Sequence, residues 1–467
     1  MDHNKLEKAE LKRKQMFEGS LMKLIPVMAA PTVVTMLIDS LYNMADTYFV
    51  SQLGPAATAA VGINDSTMNI IRAIAVSFGM GAASYISRLL GAGRDKEASQ
   101  AASTNVFTAM GFISLVAIFF YFNLSPLMTL MGATENAKPF AMDYAKWILL
   151  LAPITGADVC LSQSLRGEGS PIYSMIGSAS GCVINVVLDP IFIYIFHLGV
   201  AGAAIATDIS KLISFFILLF PFITHRTVLT ISPRLFSPKK ELYGEIARIG
   251  IPVGLRTGMM TFSNIVINNI AAGFGDIALA AVAVSNKSMR FIASAIMGFG
   301  QGFQPIAGYC WGAKKYHRVK KAFLYTTMYG FVLSTILGGL LIVFSRQVVS
   351  IFTNDAEMIA IGLILIRSQS FVLSLHTWAQ IVSGLFTGTG KAVRAAIIGL
   401  SRQVFSLLPC VIIMTMIFGL QGLVRAQAAA DIVSAFIALG MVIPMFVELN
   451  RLQREQDEKA AIAVNNT

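Results

Sequence analysis

The chain has 467 residues, 55% of them hydrophobic and only 13% charged, with a formal net charge of +11 and a mean hydropathy of +0.68. Soluble domains carry about 25% charged residues, so a soluble enzyme and a nucleic-acid-binding domain are both excluded. Apolar stretches of about 20 residues recur along the whole length, the pattern of membrane-spanning helices and not of a barrel.

In chain order, residues 1–22 read as a charged cytoplasmic tail with Lys5, Lys8, Lys12, Arg13 and Lys14. No cleavable signal peptide is visible, and the first spanning helix serves as the insertion signal. Spans are expected at 23–50, 63–90, 101–122, 141–165, 171–196 and 200–224, which form an N-lobe over 23–224. A polar, Pro-containing, basic linker follows at 225–245. Six more spans, at 246–272, 278–310, 322–344, 358–387, 392–418 and 420–446, form a C-lobe over 246–447, and 448–467 is a cytoplasmic tail, charged or polar and expected to fray from Asn450.

Basic residues gather in alternate connections: Arg88, Arg94 and Lys96; Arg226, Arg234, Lys239 and Lys240; Lys314, Lys315, Arg318, Lys320 and Lys321; Lys391 and Arg394; Arg451 and Arg454. The intervening connections at 51–64, 196–200 and 273–277 have no Lys or Arg. This is the positive-inside pattern, and it places both termini in the cytoplasm.

The second six spans repeat the first. Pro31 and Pro252 are 221 residues apart, and the same offset carries Gly54 to Gly275, Gly79 and Gly81 to Gly300 and Gly302, Gly91-Ala92 to Gly312-Ala313, and Gly167 and Gly169 to Gly388 and Gly390. Near the end the offset drops by one, so that Gly199 and Gly202 match Gly419 and Gly422. An even number of spans per repeat leaves both halves the same way up. The expected fold is therefore an all-α integral membrane protein, with twelve transmembrane helices in two six-helix lobes related by a pseudo-twofold axis along the membrane normal. At the shared offset Asp46 falls on Ile267, and Asp189 maps to an apolar stretch with Pro409, so acidic chemistry is expected only in the N-lobe.

The first span carries Asp39, Asn43 and Asp46 at i, i+4 and i+7, on one helical face. A carboxylate at membrane depth costs roughly 2.5–3.5 kcal/mol even on insertion scales and usually faces a cavity or a partner; the alternative is that these groups lie near a helix end and reach water. Asn185 and Asp189 stand at i, i+4 on the fifth span, followed by Pro190, whose missing N–H frees a carbonyl. A carboxylate, an amide and a loosened backbone offer hard oxygen ligands for Na⁺, at Asp46, Asn185 and Asp189, or a hydrogen-bonded cage for a proton shared by two acids.

Elsewhere, Asp208 and Lys211 at i, i+3 are expected to neutralise each other, and Asp158 is left open between structural and functional roles. Arg256, Lys287, Arg290, Arg402 and Arg425 lie within or near C-lobe spans, and some are expected to snorkel. His376 reads as a satisfied core histidine. Cys160, Cys182, Cys310 and Cys410 show no CxxC or His pairing and read as small core residues. For an amphiphilic ligand the expected contacts are Asp39, Tyr42, Asn43, Gln163, Trp378 and Gln380, because aromatic faces attract organic cations.

LYNMADTYFVSQLG on the first span, GAGR after the second, LRGEGSP after the fourth and NVVLDPIFIYIFHLGVAGAAIAT across the fifth and sixth together resemble the MATE multidrug exporters. The resemblance runs from Lys23 to about Val447 and is nearest to the DinF-like and MepA-like branch. It implies exchange of H⁺ or Na⁺ for cationic or amphiphilic drugs across the plasma membrane, with no organic cofactor and as a monomer. It also implies a coupling-ion network at Asp46, Tyr144, Asn185, Asp189 and Thr207, and a hinge at Pro31. The NorM-like branch places acids in the C-lobe, but 251–272 and 392–418 contain no Asp or Glu. Asp39 departs from the family pattern, where an uncharged polar residue is usual.

Rival classes lack their signatures. There is no GxSxG, HExxH or Cys–His arrangement for an enzyme, and no Walker A motif for an ATP-driven pump. A flippase for lipid-linked saccharides on a related scaffold would want a basic cleft for pyrophosphate, which Arg256 and Arg402 alone suggest. A non-transporting receptor has no use for acids confined to one lobe.

Overall fold

The computed structural model describes residues 3–351, 353 and 355–465, and every regular element among them is helical. Helix α1 spans His3–Glu18, α2 Leu21–Ser51, α3 Pro55–Gly91, α4 Asp95–Phe122, the short α5 Leu124–Leu130, α6 Lys138–Gly167, α7 Pro171–Pro190 and α8 Gly199–Ile223. The second half follows the same plan: α9 Lys240–Ala272, α10 Asp276–Gly312, α11 Tyr316–Val343, the short α12 Ser345–Ser350, α13 Ala356–Phe371, α14 Leu373–Gly388, α15 Ala392–Leu400, α16 Leu408–Phe418 and α17 Leu420–Asn465. A π-helical segment, Ile191–Ile195, continues α7, and another, Ser401–Leu407, joins α15 to α16.

Among the described residues nine helices are long and apolar enough to cross a membrane, or ten when α13 and α14, bent by 52° at Val372, count as one broken span. Of the twelve expected spans, α9 and α10 fall short of that measure. Both carry polar groups along their length, with Arg256, Asn264, Asn268 and Asn269 on one and Lys287, Arg290, Gln301 and Gln304 on the other. The C-terminal tail, expected to fray from Asn450, instead prolongs α17 to Asn465.

The chain divides into two compact units. Unit 1 comprises Met1–Lys12 and Val34–Gly254, and unit 2 comprises Arg13–Val33 and Leu255–Thr467. The sequence divides the lobes at the linker 225–245, whereas the compact units divide within helices. The chain enters unit 1 inside α2, two residues after Pro31, and leaves it inside α9, two residues after Pro252. Each proline lacks the N–H that would close its helical turn, so these two crossings lie where the helix is weakened, whereas a third, from Lys12 to Arg13, falls inside α1.

Unit 1 is built on α6, which packs along α3, α4 and α8. One cluster joins Ile71, Ile113, Met128, Ala145 and Leu149. A second joins Val50, Val61, Tyr144, Ile193, Ala203 and Ala204. Unit 2 repeats the second cluster with Ala271, Val282, Leu365, Leu423 and Val424, together with Ile267 and Val411. The repeat extends to the backbone: Gly54 and Gly275, each one residue before a long helix, have φ of 108° and 103°, a region closed to most side chains.

The residues expected as a charged tail form α1. In unit 1 its Lys8 Nζ donates to His225 O (3.0 Å), its Lys12 Nζ donates to Ser170 Oγ (2.7 Å), and Lys5 bonds Thr230. Beneath it, Glu168 accepts from the backbone N–H of Val228 (3.0 Å) and Leu229 (3.4 Å), which clasps the 225–235 stretch. Burial raises the Glu168 carboxyl and lowers the Lys12 ammonium from their ordinary values, and each group's charge partly offsets the other's shift. In unit 2, Arg318 donates to the Met16 (2.7 Å) and Gly19 (2.5 Å) carbonyls at the end of α1, where a cation suits the exposed acceptors.

Candidate functional site

The core of unit 1 opens onto a polar shell near the end of α7. Asn185 and Asp189 lie one turn apart on α7 and are fully buried. Asn185 Nδ2 donates to Asp189 Oδ1 (3.1 Å) and to Thr207 Oγ1 on α8 (3.3 Å), and Thr207 Oγ1 in turn pairs with the Tyr42 hydroxyl of α2 (3.2 Å). Pro190 closes α7, and the chain relaxes into the π-helical turn that follows. Wide turns of this kind recur at functional sites. Gly202 holds this turn against α8, since a Cβ there would lie 2.6 Å from Phe192 O.

Asp46 of α2 is buried and within electrostatic reach of Asp189, and Tyr144 of α6 is within reach of both. Three oxygens, Asp46 Oδ1, Asn185 Oδ1 and Asp189 Oδ2, are buried and have no hydrogen-bond partner among the described residues. Buried acceptors are almost always satisfied, so a cluster of three is what a proton or a bare cation would complete. Among the described residues no group of three or more His, Cys, Asp or Glu side chains has the arrangement of a metal site. The shell fits a weakly held monovalent cation or a proton better than a transition metal.

In unit 2 the positions of Asp46 and Tyr144 are apolar, although Gln427, at the position of Thr207, donates to Asn286 (3.1 Å). Asp46 corresponds to Ile267 and Tyr144 to Leu365, both buried in the core cluster of unit 2. The same architecture therefore exists with and without the acid.

Several sequence expectations need correction. Lys211 does not pair with Asp208: its Nζ lies 3.9 Å from Asp158 Oδ2, and Asp158 also accepts from Ser214 Oγ (2.6 Å). Asp158 belongs to a buried charged group with Arg166, which donates to Ser174 (3.0 Å) and Ser162 (3.0 Å), and with Asp39 within electrostatic reach. Acid is not confined to the first half. Asp431 on α17 is 5% exposed, accepts from Arg402 Nε (2.6 Å) and pairs with His376 Nδ1 (3.1 Å). His376 is thus a satisfied core histidine, and Arg402 is held by a carboxylate the sequence reading had passed over.

Among the expected ligand contacts, Tyr42 joins the polar shell. Gln163 is buried against Gly79, where an added Cβ would meet its side chain at 2.9 Å. Trp378 packs edge-on against Phe323, ring centroids 5.5 Å apart, within an aromatic cluster that includes Phe446. Gln380 is half-buried beside Gly300. The side chain of Asn43 lies outside the described residues. Two residues on α3 were missed altogether: Asp65 is within electrostatic reach of Asp46, and Arg72 of Tyr42. Their i, i+7 spacing on one helical face was the available signal.

A duplicated helical membrane protein with a buried polar shell in one unit defines a class, the secondary transporters built from repeated bundles. The chain belongs to the MatE family, whose model matches residues 31–191 and again 252–412, each match opening at one of the two equivalent prolines. The multidrug export protein MepA of Staphylococcus saprophyticus is 27% identical over 426 residues, covering 91% of this chain and 94% of that protein. Its namesake in Staphylococcus aureus is 28% identical over 431 residues, with the same coverage. A multidrug resistance MATE family transporter in an outward-facing conformation superposes with a TM-score of 0.88 at 27% identity, covering 94% of this chain and 98% of that one. MATE structures described as straight and bent superpose with TM-scores of 0.88 and 0.87, both at 26% identity, covering 94% and 95% of this chain and 98% of each of theirs. None of these is a flippase for lipid-linked saccharides.

Proposed function

We propose that this protein is a secondary active multidrug exporter that moves organic cations and amphiphiles out of the cell in exchange for H⁺ or Na⁺. The observation that carries the coupling is the trio of unpartnered buried oxygens on Asp46, Asn185 and Asp189, together with its absence at Ile267 and Leu365 of unit 2. Asp46 and Asp189 bind the driving cation, Asn185 orients Asp189, and Thr207, Tyr42 and Tyr144 complete the shell. Two like charges in one buried shell repel each other until a cation or proton joins them. Loading and emptying the shell therefore favour different arrangements of α2, whose flexible point is Pro31. The coupling is reciprocal: an ion that lowers drug affinity by some factor has its own affinity lowered by drug to the same degree.

Efflux of a cationic dye from proteoliposomes under separately imposed proton and sodium gradients tests this reading. The wild type concentrates dye under at least one gradient. Asp46→Asn and Asp189→Asn abolish gradient-driven efflux while still reaching the membrane. Efflux at the wild-type rate by either variant would place the coupling site elsewhere, with Asp208 and Asp158 next in line. Asp39→Asn, two turns along α2, is expected to weaken binding of cationic substrates without uncoupling transport.

A further inference from the structure

Unit 2 contains a positively charged group that cation coupling in unit 1 does not use. Arg256 rises from α9 just beyond Pro252 and lies along Gly399 of α15, where an added Cβ would stand 3.4 Å from Arg256 Cδ. Its guanidinium is within electrostatic reach of Arg402. Arg402 sits in the π-helical segment before Pro409, whose missing N–H permits the wide turn that aims it at α17. Arg402 is already engaged, donating through Nε (2.6 Å) and Nη2 (3.4 Å) to Asp431, which His376 also holds. Arg256 Nε is buried and has no hydrogen-bond partner among the described residues.

The charges do not balance. From 251 to 446 the sequence has four acids, and three of them, Asp276, Asp355 and Glu357, lie at helix starts. Only Asp431 is internal, and Arg402 and His376 take it, which leaves Arg256 without a carboxylate among the described residues. The same unit exposes Lys287 and Arg290 in mid-helix on α10, and neither has an acidic partner among the described residues. Arg256 is half-buried, and a buried Nε–H without an acceptor or counter-charge is costly, while the planar fork of a guanidinium is shaped for carboxylate or phosphate.

We propose that Arg256, backed by Arg402, forms a subsite in unit 2 for the anionic group of a transported amphiphile, a carboxylate foremost, so that the protein carries zwitterions and organic acids as well as cations. This rests on the exporter reading and extends its substrate class. Asp431 positions Arg402, while Arg256 makes the contact.

The test uses a matched pair of dyes, a rhodamine with a free carboxylate and its alkyl ester, bound to protein in phosphatidylcholine vesicles. The wild type binds both. Arg256→Gln weakens binding of the acid by at least about tenfold, the value of one charge-assisted contact, and leaves the ester within about twofold; Arg256→Lys recovers part of the loss. Equal effects on the two dyes, or none on either, overturn the subsite. Should Arg256→Gln fail to fold, competition in the wild type decides: octanoate must displace the acid and spare the ester, and failure to discriminate overturns the subsite. A final arm adds phosphatidylglycerol. If that lipid displaces the acid from the wild type, the subsite belongs to a lipid phosphate and the substrate assignment fails. A wild type that binds neither dye defeats the exporter reading itself, whereas binding of both without an effect of Arg256 defeats only this extension.

Discussion

Asp431 shows how a single carboxylate can be fixed by residues far away in sequence. It neutralises Arg402 and holds His376, so Asp431→Asn leaves a buried guanidinium uncompensated. Breaking such a pair costs about 3–5 kcal/mol, whereas replacing both partners with apolar residues is often close to neutral. We expect Asp431→Asn to lower the apparent melting temperature in detergent by many degrees and an Arg402→Met/Asp431→Leu double variant to recover most of it. A double variant as unstable as the single one would contradict this. These partners were invisible to a local reading, because only neighbours three or four residues apart on one helix can be paired from sequence. For the same reason Lys211 was assigned to Asp208 when its partner, Asp158, lies on another helix. The residues proposed for coupling were legible for the opposite reason. Asp46, Asn185 and Asp189 stand out because acid and amide in an apolar helix have no structural justification nearby. Asp65 was missed because it lies on a helix with other polar residues; removing its charge with Asp65→Asn should weaken attraction of the driving ion to Asp46, raising its half-saturating concentration several-fold.

At the scale of elements, α2 is one helix divided between two units. Its prolines at positions 26 and 31 break the regular hydrogen-bond ladder. Pro31→Ala restores a donor at the crossing and stiffens it. The expected outcome is ion binding retained, with transport slowed at least about tenfold; unchanged transport would remove Pro31 from the mechanism. Helix α1 supports a second prediction. Since Glu168 clasps the amides of Val228 and Leu229, Glu168→Ala should speed hydrogen exchange at those two amides, and the linker should become a preferred site for trypsin. Span positions were readable from hydropathy, and the weak turn after Asp189 from Pro190. The docking of α1 was not, because its partners are hydroxyls of Ser170 and Thr230, the His225 carbonyl and the distant Arg318, which leave no pattern in sequence.

For the whole molecule, the alternating basic connections predict topology. Single cysteines placed near Gly93, Lys240, Lys315 and Lys391 should resist a membrane-impermeant thiol reagent in intact cells, and those near Pro55, Gly199 and Gly275 should react. External labelling in the first group would invert the assignment. The repeat itself was legible because glycines forced by backbone geometry recur at a fixed offset, as Gly54 and Gly275 do. The division into units was not, since a compact boundary inside a continuous helix produces no change in composition.

The apolar counterpart at Ile267 and Leu365 has an energetic consequence for heat and exchange. A bound ion stabilises only the state that binds it, by RT ln(1 + [L]/Kd), or about 2.7 kcal/mol at a hundredfold excess over Kd. That increment falls on the shell of unit 1 and has no equivalent receptor in unit 2. Titrating the driving cation should therefore slow amide exchange around α7 and α8 while the matching stretch, α15 with its π-helical continuation and the start of α17, keeps its rate. The two halves, alike in plan, should respond to the ion as a sensor and its built-in control.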